Sequence, residues 1–589
     1  MAIAAFRRFL AFVPVGICCI MVFERITRVL HKGGVHRSSL MPRNSSPLLL
    51  SWRGWCTLAA VLFVGACKQP EQYKAEADKE VYKIIDDKWD PGYGWQANYA
   101  ISSGPSSPND VRPDVSQLPQ RLSLAQAVAL ATAQNRDYQR QKELLYLQAL
   151  DLTLARHDFA RQWFGTIDGR YTRNPADESL SGGGQFGFNQ LLATGTVIGA
   201  NLAIDWMRFL TGDPRTTLGS MLTGTITQPL LRGSSRDIIL EGLTQAERSA
   251  LYQIRTFNRY RQTFVVEMVT EYYGVLQALD RVANDKSNYE SLLANQMRVE
   301  MMADTGRVPR FQEGEVRQSV LQAEDRYNSS IESYRQALDR FKIRLALPTD
   351  MDIELDPNEL VALESLGVAE PNVSLEESVQ TALGLRLDLA NVFDQVDDAA
   401  RRVVVAADNL RTGLTLTARA GIPSSPGYQL DRHNLGDGTY SLGLSADLPL
   451  DRKRQRNAYR EALIAHEAQQ RTYQDQTDRV KLDVRQAYRD LTEAYTSYKI
   501  QLLSLDLART RVDMQMILLQ EGRATTRNYL DAQDDLLIAQ NAKTSALVQF
   551  TLATLRFYRD VGLLAVRPDG LWERDETTAA GADSPDEPA

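Results

Sequence analysis

The sequence predicts a mainly α-helical protein that also carries membrane β-strands, with two structural repeats in one chain. Three observations predict this. A set of motifs recurs after 251 residues, two very long stretches lack proline, and several short segments alternate apolar and polar residues.

The repeat is read first. Leu122-Ser-Leu-Ala-Gln-Ala-Val opens one unit and Val373-Ser-Leu-Glu-Glu-Ser-Val opens the other. Each reads as a helix start, with Ser123 or Ser374 at the N-cap, where a hydroxyl can accept from an orphan backbone amide. Gln126 and Glu377, three residues on, complete capping boxes. The same 251-residue shift superposes Asn135-Arg-Asp-Tyr on Arg386-Leu-Asp-Leu.

Alternating segments follow each opening helix and end at a proline. Pro229 stands in Thr227-Gln-Pro-Leu-Leu-Arg and Pro449 in Asp447-Leu-Pro-Leu-Asp-Arg. Proline lacks an amide donor and presets φ, so it suits a strand–helix junction. No proline then occurs from Leu230 to Val308 or from Leu450 to Arg567. Gly306 and Gly522 centre the turns that interrupt these stretches, and return helices come back to Leu347 and Leu563. A helix of about 70 residues would be roughly 105 Å long, more than a compact globule needs. Val484, Ala487, Leu491, Ala494, Tyr498, Leu502 and Leu505 alternate by three and four, which predicts a coiled-coil seam.

The strands alternate with period two. In 196–206, Ile198, Ala200, Leu202, Ile204 and Trp206 share a face opposite Asn201 and Asp205. In 218–227, Leu218, Leu222 and Ile226 oppose Thr223, Thr225 and Thr227. Segments 414–422 and 440–448 do the same, with Leu416, Ala418, Leu442 and Leu444 against Thr415, Thr417, Arg419, Ser441 and Ser445. Each has about the length of a tilted membrane strand. Apolar-out, polar-in alternation suits a water-filled transmembrane barrel, although a soluble sandwich strand has the same period. The 251 shift pairs 164–172 with 415–423, which leaves 184–206 as an extra hairpin around Ala193-Thr-Gly195. Such a hairpin either adds barrel strands or lengthens the outer loops. A few strands cannot close a barrel alone, and every edge in a membrane must be paired. Several chains must therefore build it together.

Composition removes other classes. Of 589 residues, 43% are hydrophobic and 24% charged, an ordinary globular balance. The formal charge is −7. Residues 1–66 hold eight Lys/Arg and one acid, so the remainder is strongly acidic and a poor binder of nucleic acid. All four cysteines lie at or before Cys67, which excludes disulfides and cysteine nucleophiles from the body. The five histidines are scattered, and no HExxH, GxSxG or GxxxxGK[ST] pattern appears. No catalytic residue, metal site or cofactor is expected. Paired carboxylates of an exported hydrolase are available in number, but nothing specifies their approach.

The N-terminus reads as an export signal. Cys56–Ala66, CTLAAVLFVGA, is too short to span a bilayer and has Arg43 and Arg53 upstream. Val64-Gly65-Ala66-Cys67 resembles a bacterial lipobox, with Val64 where Leu is usual. That resemblance implies cleavage before Cys67 and lipidation of its thiol, so the only expected non-protein group is covalent lipid such as palmitate. Met41 begins a complete signal peptide, which makes residues 1–40 upstream sequence.

In their order, these residues resemble the TolC-like outer membrane efflux proteins over about 122–567. The duplicated unit, the lipobox, Gln228-Pro-Leu-Leu-Arg-Gly233 and Gly522-Arg-Ala-Thr-Thr-Arg-Asn-Tyr-Leu-Asp-Ala-Gln533 carry the resemblance. It implies a homotrimer: a 12-stranded or larger β-barrel in the outer membrane of a Gram-negative-type bacterium, continued by an α-helical coiled-coil barrel into the periplasm. It implies a passive export duct of a tripartite efflux or type I secretion system. Its partners would be a periplasmic adaptor, an inner-membrane pump and outer membrane lipid, with no nucleic acid. The Gly306 and Gly522 turns would form the periplasmic tip. Acids past the second turn would ring the entrance. Asp531 matches one such position, Asn528 stands where another Asp is common, and Asp534 and Asp535 lie one turn away. Arg523 or Arg527 would latch the closed tip through neighbouring acids.

The expected organisation is upstream sequence and signal peptide at 1–66, a lipid-anchored linker at 67–120, a first repeat at 121–350, an inter-repeat linker at 351–372, a second repeat at 373–567 and a disordered acidic tail at 568–589. Glu71–Trp89 reads as a short polar helix and 91–119 as extended. The competing reading is a lipoprotein that spans the periplasm as a structural spacer without a conducting lumen.

Overall fold

The computed structural model describes residues 69–93, 95–101, 121–175, 178–210, 216–424, 430, 432–568 and 570–571. Cys67, the signal segment with Met41, the linker beyond residue 101 and the tail from 572 lie outside the described residues.

Helix α1 spans Pro70–Lys88 and is followed by a single 3-10 turn at Pro91–Tyr93. Strand β1 (Arg121–Leu122) leads to α2 (Leu124–Gln134) and α3 (Arg136–His157). Ser123 caps α2 with its full capping box, and Asn135 both ends α2 and caps α3 by accepting from the Tyr138 amide. Four antiparallel strands follow: β2 (Gln162–Arg173), β3 (Glu178–Leu191), β4 (Val197–Phe209) and β5 (Thr216–Pro229). One turn of helix, α4 (Arg236–Ile239), precedes the 64-residue α5 (Glu241–Asp304). The return helix is α6 (Phe311–Arg344).

The second half runs through a similar series of elements, with two long strands where the first has four. Strand β6 (Glu354–Leu355) pairs in parallel with β1, and α7 (Asn358–Leu366) closes the connection. Then come α8 (Leu375–Leu385), α9 (Leu387–Asp408), β7 (Gly413–Pro423), β8 (Thr439–Asp447), the 68-residue α10 (Lys453–Gln520) and α11 (Thr526–Val561). Ser374 caps α8 by accepting from the Glu377 amide, but Glu377 does not return the bond as Gln126 does. The 251-residue offset holds residue for residue from α2 and α3 to α8 and α9, then falls to 220 between Pro229 and Pro449. The difference of 31 residues is the β3–β4 hairpin.

The six long strands form one sheet in the order β2-β3-β4-β5-β7-β8. The hairpin therefore adds strands rather than lengthening outer loops. The four strands per chain that a 12-stranded trimer needs are replaced by six. The hairpin turn, residues 192–196, lies at the end of the sheet where the helices attach, because Val197 pairs with Thr227. Gly195 turns there at φ +78°, where a Cβ would stand 3.0 Å from both the Gly233 carbonyl and Pro229 Cγ. Thr196 Oγ1 and the Thr194 carbonyl both bond the Gln228 side chain, which ties the turn to the strand–helix junction.

The main apolar core lies where α1, α2, α3, α5, the C-terminal part of α6 and the C-terminal half of α11 meet. Tyr272, Tyr273, Phe257, Phe264 and Phe341 are fully buried there. A second core joins α8, α10 and α11 through Val480, Val484, Leu491 and Phe557. The predicted α10 seam is buried at Val484, Ala487, Leu491, Tyr498 and Leu505, whereas Leu502 is 39% exposed. Leu502 stands four residues after Tyr498 and so falls off the seam, which keeps its seven-residue period through Leu505, Val512 and Leu519, with Ala508 between. Among the described residues no helix is long and apolar enough to cross a membrane.

Candidate channel surface and entrance

The sheet supplies the first candidate surface. Its register places Trp163 opposite Phe188, Phe186 opposite Leu202, Leu202 opposite Leu222, Leu222 opposite Ile422, and Ala418 opposite Leu442. Side chains alternate faces along a strand, so these residues share one face across all six strands. Ile167, Ile226, Leu442 and Leu444 on that face are 78%, 49%, 75% and 65% exposed. The opposite face carries Thr166, Asp168, Arg170, Gln185, Asn201, Asp205, Thr223, Thr225, Thr227, Thr417, Arg419, Ser441 and Ser445 by the same register. One face is thus mainly apolar, with Glu178, Arg208 and Ser220 toward the end away from the helices, and the other mainly polar. Among the described residues neither β2 nor β8 has a strand on its outer side.

Glycine allows the sheet to bend. At Gly187 a Cβ would fall 2.5 Å from the Ala200 carbonyl and 2.7 Å from Asn201 Cβ, so only glycine fits between β3 and β4 there. Aromatic residues mark the helix end of the apolar face. Trp163 stacks on Phe186 with centroids 5.5 Å apart and touches Phe188 at 5.1 Å.

Pro229 is the last residue of β5 and Pro449 follows β8 by two residues. Both stand where a strand gives out, a place their missing backbone donor suits, and a long helix follows each. Arg232 Nη2 donates to Asp447 Oδ2 at 2.7 Å and Gly233 N to Asp408 Oδ2 at 2.7 Å, which joins the two junctions. The adjoining α5–α9 seam is ionic. Asp398, 2% exposed, accepts from Arg248 Nη1 (2.8 Å), Tyr252 OH (2.6 Å) and Arg401 Nη2 (2.8 Å). Burial alone would raise its carboxyl, but the bonds from Tyr252 and Arg401 outweigh burial and hold it below the usual range. Arg255 bonds Asp394 at 2.6 Å beside it.

The far ends of the long helices supply the second surface. Gly306 and Gly522 turn at φ +72° and +70°. Each closes its helix with paired backbone bonds: Gly306 N to Ala303 O with Arg307 N to Met302 O, and Gly522 N to Leu519 O with Arg523 N to Leu518 O. Thr525 caps α11 by accepting from the Asn528 amide. The four entrance candidates do not share one environment. Asn528 and Asp531 are exposed, and Asp531 makes no ion pair among the described residues. Asp534 pairs with Arg326 of α6 at 3.0 Å, and Asp535 pairs with Arg511 of α10. Asp534 and Asp535 are thus engaged by different helices, not grouped with Asp531.

Among the described residues Arg523 pairs only with Glu521 of its own turn, at 3.5 Å, and so does not connect helices there. The connections are elsewhere, and periodicity could not find them because they depend on helix facing. Besides Arg326–Asp534, Thr526 donates to Gln312 at 2.8 Å, Asn284 to Asn541 at 3.0 Å and Thr544 to Asp280 at 2.7 Å. A polar row therefore joins α11 to the α5–α6 pair. Leu530 adds one apolar tooth, packed among Leu292, Val299, Val316 and Val320. Asp285 on α5, beside this row, is 4% exposed, and burial raises its carboxyl above the ordinary range. Among the described residues no group of three or more His, Cys, Asp or Glu could hold a metal.

Residues 378–562 match the family model described as outer membrane efflux protein. No match was found among curated proteins. Solved structures with the same fold include the CmeC outer membrane channel of Campylobacter jejuni, at TM-score 0.53 and 15% identity, covering 83% of this chain and 97% of that one. The open-state MtrE outer membrane channel of Neisseria gonorrhoeae aligns at TM-score 0.55 and 14% identity, covering 76% and 90%. The outer-membrane channel OprN aligns at 0.53 and 15%, covering 80% and 96%. The chain thus resembles the TolC-like outer membrane efflux proteins, in sequence over residues 378–562 and in fold over three quarters or more of its length.

Proposed function

We propose that three copies of this chain form a passive export duct through the outer membrane and into the periplasm. One observation carries the reading: a six-stranded sheet with one mainly apolar face, one mainly polar face and, among the described residues, two unpaired edges. An open edge in lipid leaves backbone groups unsatisfied, so the sheet must be closed by other strands. Strands β2 and β8 run in opposite directions, so β8 of one copy can pair antiparallel with β2 of the next around a threefold axis. Three such sheets give a ring of 18 strands, a size that leaves an aqueous channel. The long helices continue it as a coiled-coil barrel, and Gly306 and Gly522 face the periplasm.

In this reading Asp531, repeated three times, lines the entrance and favours cations. The Arg326–Asp534 pair and its polar neighbours hold α11 against α5 and α6 in the closed state. Energy and cargo choice come from an inner-membrane pump acting through a periplasmic adaptor, and no step makes or breaks a bond. Cys67, lipidated, anchors the mature N-terminus. Intact-mass analysis of native protein should find that lipid and no peptide from residues 1–40.

Planar-bilayer recording tests the duct. The purified trimer should give stepwise conductance, and Asp531→Asn should reduce its cation preference. A folded trimer that never conducts would instead favour a structural lipoprotein, and unchanged selectivity would remove Asp531 from the pore.

A further inference from the structure

We propose that the helix end of the sheet carries a binding belt for the phosphate headgroups of anionic lipids in the adjoining leaflet. The inference rests on the membrane placement of the sheet and goes beyond it. Lys453 begins α10, with Arg452 at its N-cap and Arg454 and Arg456 in its first turns. Cations at a helix N-terminus oppose the helix dipole, and this helix has no acid in its first turn and no capping bond from the Arg452 side chain. The neighbouring acid, Asp451, takes the Lys453 backbone amide at 3.0 Å and forms no ion pair with the four side chains among the described residues. All four cations are exposed, and none forms an ion pair among the described residues.

Their surroundings select the partner. Leu448 and Leu450, just upstream, are 63% and 97% exposed, and Leu448 continues the even-numbered apolar face of β8. Arg161, just before β2, lies 5.0 Å from the Phe188 ring centre and 5.9 Å from that of Trp163, on the same apolar face. Arg161 is exposed and likewise without an ion pair among the described residues. Cations beside exposed aliphatic and aromatic side chains at the end of a membrane strand match a headgroup layer, where anionic phosphate meets the edge of the hydrocarbon. When β8 meets β2 of the next copy, Arg161 of that copy comes beside residues 448–456, so each belt segment is completed across the seam between subunits.

The test uses the full-length trimer carrying Arg161→Gln, Arg452→Gln, Lys453→Gln, Arg454→Gln and Arg456→Gln, compared with the unaltered protein. Both are equilibrated with equal phosphatidylglycerol and phosphatidylethanolamine, and retained lipid is counted by native mass spectrometry. The unaltered trimer should retain the anionic lipid with about a tenfold preference, and the variant should fall close to parity. Single-particle conductance in bilayers is read in parallel and should not change. Equal retention of both lipids by the unaltered trimer, or an undiminished preference in the variant, overturns the proposal. So does a variant whose lipid preference persists while its ion selectivity changes, since the cations would then face the lumen. Loss of conductance in both proteins would count against the duct and not against the belt.

Discussion

Helices α3 and α9 are counterparts, each of 22 residues and offset by 251, and both pack on the same long helix α5. They do so by opposite chemistry. Helix α3 buries Tyr138, Leu145, Ala149 and Leu152 against Phe257 and Phe264, with Tyr138 and Phe264 rings 5.0 Å apart. Helix α9 offers Asp394 and Asp398 to Arg248, Tyr252 and Arg255. The position of Asp398 in α9 is occupied in α3 by Leu147, which is 54% exposed. Shared geometry therefore does not dictate a shared adhesive. The α3 seam is mainly apolar, with one ion pair, Arg156–Glu247 at 2.8 Å, at its end, whereas the α9 seam depends throughout on carboxylates that must stay charged. The two halves also differ in the sheet, where the first gives four strands and the second two. An antiparallel hairpin preserves strand direction, so it can be inserted without disturbing the helices on either side.

The largest expected effect comes from equalising the halves. Removing residues 178–209 leaves β2 joined to β5 through the flanking loops, still antiparallel. The trimer should survive with a barrel diameter about a third smaller, read by electron microscopy. Failure to assemble would mean that the hairpin is structural rather than an insertion.

Next is Asp398→Asn, which leaves Arg248 and Arg401 without their shared anion. It should cost about 4 kcal/mol in thermal or denaturant unfolding. The sign with pH follows from the lowered carboxyl. The stabilisation is complete above the unfolded value of about 3.9 and is lost as pH falls through the folded value. Acid should therefore weaken the natural α9 seam and spare the variant, and parallel acid curves for both would contradict this. Leu145→Ala should cost about 3 kcal/mol with no dependence on pH. A pH-dependent loss there would erase the contrast between the seams.

The smallest effects test where the halves agree. Gly306→Ala and Gly522→Ala each meet open space, so only the positive φ opposes them. Each should cost about 1 kcal/mol, equally in the two turns. A large difference between them would show that one turn is held by contacts the other lacks.

Most of the fold was legible in the sequence. Proline-free stretches interrupted at Gly306 and Gly522 located the long helices, and the Ser123 and Ser374 caps located the opening ones. The segments around 196–206, 218–227, 414–422 and 440–448 became strands with bounds shifted by a few residues at most. Strand β3 was harder because Ser181-Gly-Gly-Gly-Gln has no apolar alternation to read, and the 251 offset alone exposed the hairpin. The entrance was less legible. That Asp534 turns to Arg326 and Asp535 to Arg511 depends on how three helices face one another, which spacing along one helix cannot specify.

The central claim is that three six-stranded sheets enclose one wet passage. Electron microscopy of the purified particle in a lipid nanodisc tests it most directly. The account predicts threefold symmetry, a ring of 18 strands with Leu442 and Ile167 toward lipid, and a hollow helical extension below. A monomer, or a trimer whose sheets stay separate with no passage between them, would contradict it.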